Sequence, residues 1–207
     1  AAFERGTFEQ VVALTAQASG EFSGTETDVS GGFSNINTIN GTAGTLTGLN
    51  AASTWDIDGT PTYTSGGSVL AFSGFDVLQG GNNVDTFNLN GNIAANGGDG
   101  DDLFNQISGT GTIAGEGGSD TVTGPNAGTT WDVTSNGAGN VTSGGISRAF
   151  NTMEGVQGGT AVDTFNLNGD IAANGGDGDD LFNQTGGTGT IAGELGNDTV
   201  TGPNAAT

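Results

Sequence analysis

Along this chain the apolar positions follow two superimposed periods. Phe87 and Leu89 alternate with Asn88 and Asn90, and Ile93 and Ala95 alternate with Asn92 and Asn96. That is the two-residue period of a half-buried strand. On a longer scale an Asp-x-apolar step recurs at Asp85-Thr86-Phe87, Asp102-Leu103-Phe104 and Asp120-Thr121-Val122, 17 and 18 residues apart. Each is preceded by a glycine pair, at 80–81, 97–98 and 117–118. A rung of that length holds two strands of about five residues and two turns. Successive rungs then stack as parallel strands about 4.8 Å apart, with Phe, Leu, Ile and Val held between two sheets. One rung cannot bury that face alone, but stacked neighbours can. The pattern predicts an all-β fold: a parallel β-solenoid of the β-roll or β-helix kind, with about 17–20 residues per rung and little or no helix.

The rungs group into a larger repeat. Residues 84–105 and 162–183 differ only at Asn92 against Asp170, an offset of 78, and the match continues through 109–116 with 187–194 and 121–127 with 199–205. Upstream, residues 49–57 match 125–133 at an offset of 76, so one copy carries a two-residue insertion. The expected organisation is a divergent rung or cap over 1–32, repeat units over 33–123 and 124–201, and the start of a further copy over 202–207. Thr207 aligns with Thr129, which predicts that more copies follow. The 43 residues from Asp120 to Asp163 lack the glycine–aspartate step; two longer rungs are expected there, a small non-solenoid insert being the alternative. Residues 8–18 read as a strand or a short amphipathic helix.

Composition narrows the chemistry. Glycine supplies 42 of 207 residues and proline three, which excludes collagen and disfavours helices. Asp and Glu number 23 against two arginines, Arg5 and Arg148, with no lysine or histidine, for a net charge of −21. Nucleic acid and anionic lipid are therefore poor partners, and multivalent cations are good ones. No apolar run is long enough to span a membrane as a helix, so no membrane insertion is expected. Cysteine is absent, so no disulfides form, and without Cys or His the common nucleophile–base pairs and zinc sites are missing. Carboxylates that recur with the rungs fit a lattice of ions better than one catalytic pair, and no enzyme is expected.

Residues 97–105, Gly-Gly-Asp-Gly-Asp-Asp-Leu-Phe-Asn, and their copy at 175–183 fit the nonapeptide GGxGxDxUx. This resembles the calcium-binding nonapeptide of RTX proteins, whose strands form a parallel β-roll. The resemblance is partial at Gly80–Asp85, Gly158–Asp163 and Gly117–Asp120, and it runs along one edge rather than two. The wider pattern over 33–207 is similar to the β-strand repeats of very large secreted bacterial proteins, filamentous-haemagglutinin-like adhesins among them. It implies a secreted or cell-surface fibre.

Stacking is expected to place the rung aspartates in register along one glycine-rich edge. Carboxylates about 5 Å apart repel by roughly 3 kcal/mol at an effective dielectric of 20. Calcium would relieve this, since it takes six to eight oxygens in flexible geometry. Asp102 and Asp180 are the principal candidate Ca2+ ligands; Asp99, Asp101, Asp177 and Asp179 lie on the same turns, and Asp85, Asp120, Asp163 and Asp198 complete the columns. The competing reading is that these side chains start strands by binding turn amides. Asn88, Asn90, Asn105, Asn166, Asn168 and Asn183 form amide ladders or face solvent. Trp55 and Trp131 fill wide rungs or offer sugar-stacking platforms. Thr-x-Thr at 45–47, 62–64, 121–123 and 199–201 is too scattered for an ice-binding array.

Three functions are expected to compete. The first is a structural calcium-binding segment of an extracellular filament that self-associates or continues in its own chain. The others are an adhesin stalk with a glycan or cell-surface target, and an RTX-like secretion region of a larger toxin or hydrolase.

Overall fold

The computed structural model describes residues 11–18, 20–26 and 29–202. Within them the fold is all-β, a solenoid of two large, mostly parallel sheets with no helix. A first meander comprises β1 (Val11–Ala18), β2 (Glu21–Glu26) and β3 (Val29–Ile36). Short strands β4 (Thr38–Asn40) and β5 (Thr45–Thr47) follow. A second meander holds β6 (Ser53–Ile57), β7 (Thr62–Ser65) and β8 (Ser68–Ser73). Six rung strands come next: β9 (Val77–Gln79), β10 (Asp85–Asn90), β11 (Ala94–Asp99), β12 (Leu103–Ser108), β13 (Ile113–Gly117) and β14 (Thr121–Thr123). The pattern then repeats as a meander, β15 (Thr129–Ser135), β16 (Ala138–Ser143) and β17 (Ile146–Asn151). Its six rung strands are β18 (Gly155–Gln157), β19 (Thr164–Leu167), β20 (Ala172–Asp177), β21 (Leu181–Gln184), β22 (Ile191–Leu195) and β23 (Thr199–Thr201).

Rung strands alternate between the sheets and pair in parallel with the strand one turn away, as in Phe87↔Phe104 and Phe104↔Val122. The inward residues form the core the alternation predicted: Phe87, Leu89, Phe104, Ile113, Val122, Phe165 and Phe182 are buried. The aromatic rings continue from rung to rung. Trp55 stacks on Phe87 at 5.7 Å and Phe87 on Phe104 at 4.9 Å; Trp131, Phe165 and Phe182 repeat the stack at 5.9 and 4.8 Å. Both tryptophans are fully buried, so the sugar-platform alternative is excluded for them.

The 43-residue stretch does not form two longer rungs. It folds as the antiparallel meander β15–β16–β17 within one sheet, and β6–β7–β8 does the same in the preceding unit. Tight turns cause this. Gly137 (φ +63°) and the pair Gly144 and Gly145 (φ +56° and +80°) turn the chain back in the plane of the sheet. The two-residue insertion lengthens the β15–β16 hairpin relative to β6–β7. At the start of the chain β1–β3 form a third such meander rather than a rung, and the expected boundary between 32 and 33 falls inside β3. Val11–Ala18 is a strand; residues 1–10 and 203–207 lie outside the described residues.

The meanders also set the phase of the repeat. One meander plus six rung strands makes seven half-turns, an odd number. The second unit is therefore rotated half a turn about the solenoid axis relative to the first. Accordingly β6–β8, β10, β12 and β14 lie in the 10-stranded sheet, while their counterparts β15–β17, β19, β21 and β23 lie in the 13-stranded one.

Candidate functional site

The half-turn splits the aspartates into two columns. Asp85, Asp102 and Asp120 occupy the turns that lead from the 13-stranded sheet into the 10-stranded one. Asp163, Asp180 and Asp198 occupy the turns leading back. The single column expected along one edge is thus two shorter columns on opposite edges.

Both columns point inward. Asp85, Asp102, Asp120, Asp163 and Asp180 are between 0 and 2% exposed, and Asp198, at the end of the stack, is half-buried. Each carboxylate is tied to the neighbouring rung. The Asp85 N–H donates to Asp102 Oδ1 (2.7 Å), Asp102 to Asp120 Oδ1 (2.8 Å) and Asp120 to Glu154 Oε2 (2.8 Å). In the second column Asp163 donates to Asp180 Oδ1 (2.7 Å) and Asp180 to Asp198 Oδ1 (3.0 Å). The columns begin on hydroxyls: Ser53 Oγ donates to Asp85 and Thr129 Oγ1 to Asp163, each at 2.6 Å.

The second carboxylate oxygen lies over a glycine exactly five residues earlier, Gly80, Gly97, Gly115, Gly158, Gly175 or Gly193. A methyl group on any of these would come nearer than 3.0 Å to Oδ2 of its aspartate. On Gly97 it would also meet the Gly115 carbonyl oxygen, and on Gly175 that of Gly193, at under 3.0 Å. The glycine is there because the carboxylate fills the place of its side chain. Gly97→Ala is accordingly expected to destabilise the chain by about 1–3 kcal/mol, as overpacking does, in a urea titration followed by circular dichroism. Wild-type stability in that variant would refute the packing.

The rungs then divide by how Oδ2 is satisfied. In the first rung of each unit it accepts a backbone N–H, from Gly81 to Asp85 and from Gly159 to Asp163, both at 2.8 Å. In the nonapeptide rungs the corresponding Gly98 and Gly176 adopt left-handed φ of +103° and +92°, and their N–H groups do not reach the carboxylate. Glu116 takes the same conformation (φ +73°) and donates its N–H to Thr152 Oγ1 instead. Oδ2 of Asp102, Asp120 and Asp180 is left buried without a hydrogen-bond partner. In the rungs of Asp85, Asp102, Asp120, Asp163 and Asp180 the space above the glycine is shared by Oδ2 and a main-chain carbonyl oxygen of the next rung or turn, Gly115 for Asp102, Gly193 for Asp180 and Thr152 for Asp120; what sets these three apart is the missing donor. A buried carboxylate oxygen without a donor is costly, and a proton or a cation would satisfy it.

Burial raises the pKa of Asp85, Asp102, Asp120 and Asp180, and neighbouring carboxylates push the last three further. Asp102, flanked by Asp120, Asp85 and Asp101, rises to about 7. The donor chemistry suits a hard cation, being all oxygen. No three acidic side chains among the described residues converge as a ready-made metal site. Asp99 and Asp177 end β11 and β20, Asp101 and Asp179 lie on the turns that follow, and all four are exposed outside the columns. Asp101 and Asp179 accept the backbone N–H of Ser119 and Asn197 on the next rung, each at 2.9 Å.

The outer faces carry ladders. Asn105 donates to Asn88, which donates to Asp56; Asn183 donates to Asn166, which donates to Asp132. Of the expected amide ladders these two pairs are formed, each anchored on an aspartate. The single difference between the long copies is conservative in geometry: Asn92 Oδ1 and Asp170 Oδ1 accept the N–H of Thr110 and Thr188.

Arg148 gave no signal in the repeat pattern, because its counterpart in the first unit is Leu70. It is fully buried on β17. Its guanidinium donates to four main-chain carbonyls on two stacked turns: Gly91 (2.6 Å), Ile93 (3.3 Å), Ser108 (3.4 Å) and Thr110 (3.1 Å). Burial lowers its pKa to about 10, so it stays charged at neutral pH. Arg148 pins the second unit onto the first. Comparison with protein families, with characterised proteins and with solved structures finds no match to this chain.

Proposed function

We propose that this chain is a structural segment of a secreted, calcium-binding β-solenoid filament, with the ions held along the buried aspartate columns. The observation that carries the reading is the set of buried, unpartnered Oδ2 atoms of Asp102, Asp120 and Asp180, in columns where Asp85 and Asp163 have theirs hydrogen-bonded. Asp102 and Asp180 belong to the full nonapeptides. Calcium would supply there the positive charge that the unpartnered carboxylate oxygens lack, with Asp85 and Asp163 acting as hydrogen-bonded ends of the columns. A net charge of −21 and a fold of stacked rungs fit a scaffold that gains rigidity from cations.

A proton is the second reading, favoured by the carbonyl oxygen that shares the space above the glycine with each Oδ2 and by the raised pKa of Asp102. One experiment separates the two. Because calcium would bind the folded state alone, EDTA should lower the melting temperature and added calcium restore it. An unchanged melt at neutral pH and low salt leaves the proton. Electron microscopy of the purified chain tests the filament, and dispersed monomers with and without calcium would count against it.

A further inference from the structure

The junction between the two units is a template for the last described strands of the stack. At that junction β17 and β18 cover the last strands of the first unit, pairing Ile113 with Phe150 and Val122 with Val156, and both Ile113 and Val122 are fully buried. Arg148 enters the carbonyls of Gly91, Ile93, Ser108 and Thr110, and the Glu154 carboxylate accepts the Asp120 N–H. The second unit ends on the same features 78 residues later. Ile191 is only partly buried and Val200 is 56% exposed. The turns beneath are stacked as in the first unit: Gly109 and Gly111 lie against the carbonyls of Gly91 and Ile93, and Gly187 and Gly189 lie against those of Gly169 and Ile171. The counterparts of the four arginine-binding carbonyls are therefore Gly169, Ile171, Gly186 and Thr188. No N–H or side chain of the described residues donates to them.

We infer that β22, β23 and this carbonyl nest form a docking surface for a further repeat unit, whose meander lays its third strand on β22 and inserts an arginine, placed as Arg148 is, into the nest. The chemistry selects the occupant. Four carbonyls placed as those of Gly91, Ile93, Ser108 and Thr110 are around Arg148 accept a planar guanidinium with several donors and repel a carboxylate. The exposed Val200 and part-buried Ile191 require an apolar strand beside that arginine, as Phe150 and Val156 provide at the inner junction. The strands of the chain's own first meander, Val11–Ala18, Glu21–Glu26 and Val29–Ile36, contain no arginine, whereas β17 carries Arg148. This assembly rule deepens the filament reading and rests on it.

The test titrates the chain with a synthetic peptide of residues 138–157 and with the same peptide carrying Arg148→Leu, following backbone amide shifts. Shifts confined to 169–172, 186–192 and 198–201, and an affinity at least about tenfold greater for the arginine peptide, are expected, since lost charge-assisted hydrogen bonds are worth that much or more. Equal affinity of the two peptides overturns the nest, and absence of shifts overturns the docking surface. As the peptide has to form its strands on binding, a second measurement appends a copy of residues 124–201 after Thr201. Hydrogen exchange at 186–192 should then slow to the rate of 108–114, and should not do so when the appended copy carries leucine at the arginine position. Either result stands apart from the calcium melts and from the filament images, which test the underlying reading.

Discussion

Arg148→Ala is expected to lower the stability of the chain by about 3–5 kcal/mol, the largest effect of any single substitution considered for this fold. Two losses add. The guanidinium leaves a cavity on β17 in the buried face of the meander. The carbonyls of Gly91, Ile93, Ser108 and Thr110 also lose the side-chain donor they have among the described residues, and unmade buried hydrogen bonds cost about 1–3 kcal/mol each before relaxation and water entry. Arg148→Leu, which copies Leu70 of the first unit, keeps the apolar volume and is expected to cost less than alanine. Because the stack is quasi-one-dimensional, loss at a junction should also break cooperativity, so that the units melt in two steps. Chemical denaturation read by tryptophan fluorescence reports both units, through Trp55 and Trp131. A single, unshifted transition in Arg148→Ala would show that the guanidinium does not join them.

Asp102→Asn should stabilise the calcium-free protein at neutral pH. The amide keeps an oxygen for the Asp85 N–H and puts an N–H₂ in place of the unpartnered Oδ2, in the space that the Gly115 carbonyl also borders. It removes a buried acceptor that has no donor, a gain of about 1–3 kcal/mol. The pH dependence follows from the same oxygen. The folded pKa of about 7 lies above the ordinary value of 3.8, so between these values the folded chain holds a proton that the unfolded chain has released. Stability contributed by that proton is present at the acid end of this window and is lost as pH rises through about 7. In EDTA the wild type should melt higher at pH 5 than at pH 8, and Asp102→Asn should flatten that difference. Calcium should raise the wild-type melt at pH 8 and have less effect on the variant. A variant less stable than wild type at pH 8 in EDTA would show that the carboxylate is already satisfied.

The rung was legible because its two signals are local. The two-residue alternation sets which side chains face inward, and the 17–18-residue spacing sets the stacking; Phe87, Phe104, Phe165 and Phe182 lie where that arithmetic puts them. Even the inward aspartates left a trace, since each follows by five residues a glycine whose missing side chain makes room for the carboxylate. What the pattern could not resolve is long-range. Asn136-Gly137 and Gly144-Gly145 are turn signals, but a turn within a sheet and a turn between sheets use the same residues, so the meanders read as rungs. The half-turn between units depends on counting those strands correctly. Arg148 had no repeat to belong to, and its partners are main-chain carbonyls, to which sequence is blind.

The odd number of half-turns per unit has a mechanical consequence. Each meander adds two extra strands to one sheet and none to the other, which lengthens that side by about 10 Å. Were every unit in phase, the excess would accumulate on one face and bend the stack into an arc or a ring. With successive units half a turn apart the excess alternates from side to side, as the 13- and 10-stranded sheets already do across the three meanders. The curvature of one unit is undone by the next. A long array of such units would run straight, and inserting or deleting half a turn in one of them would put a bend at that point.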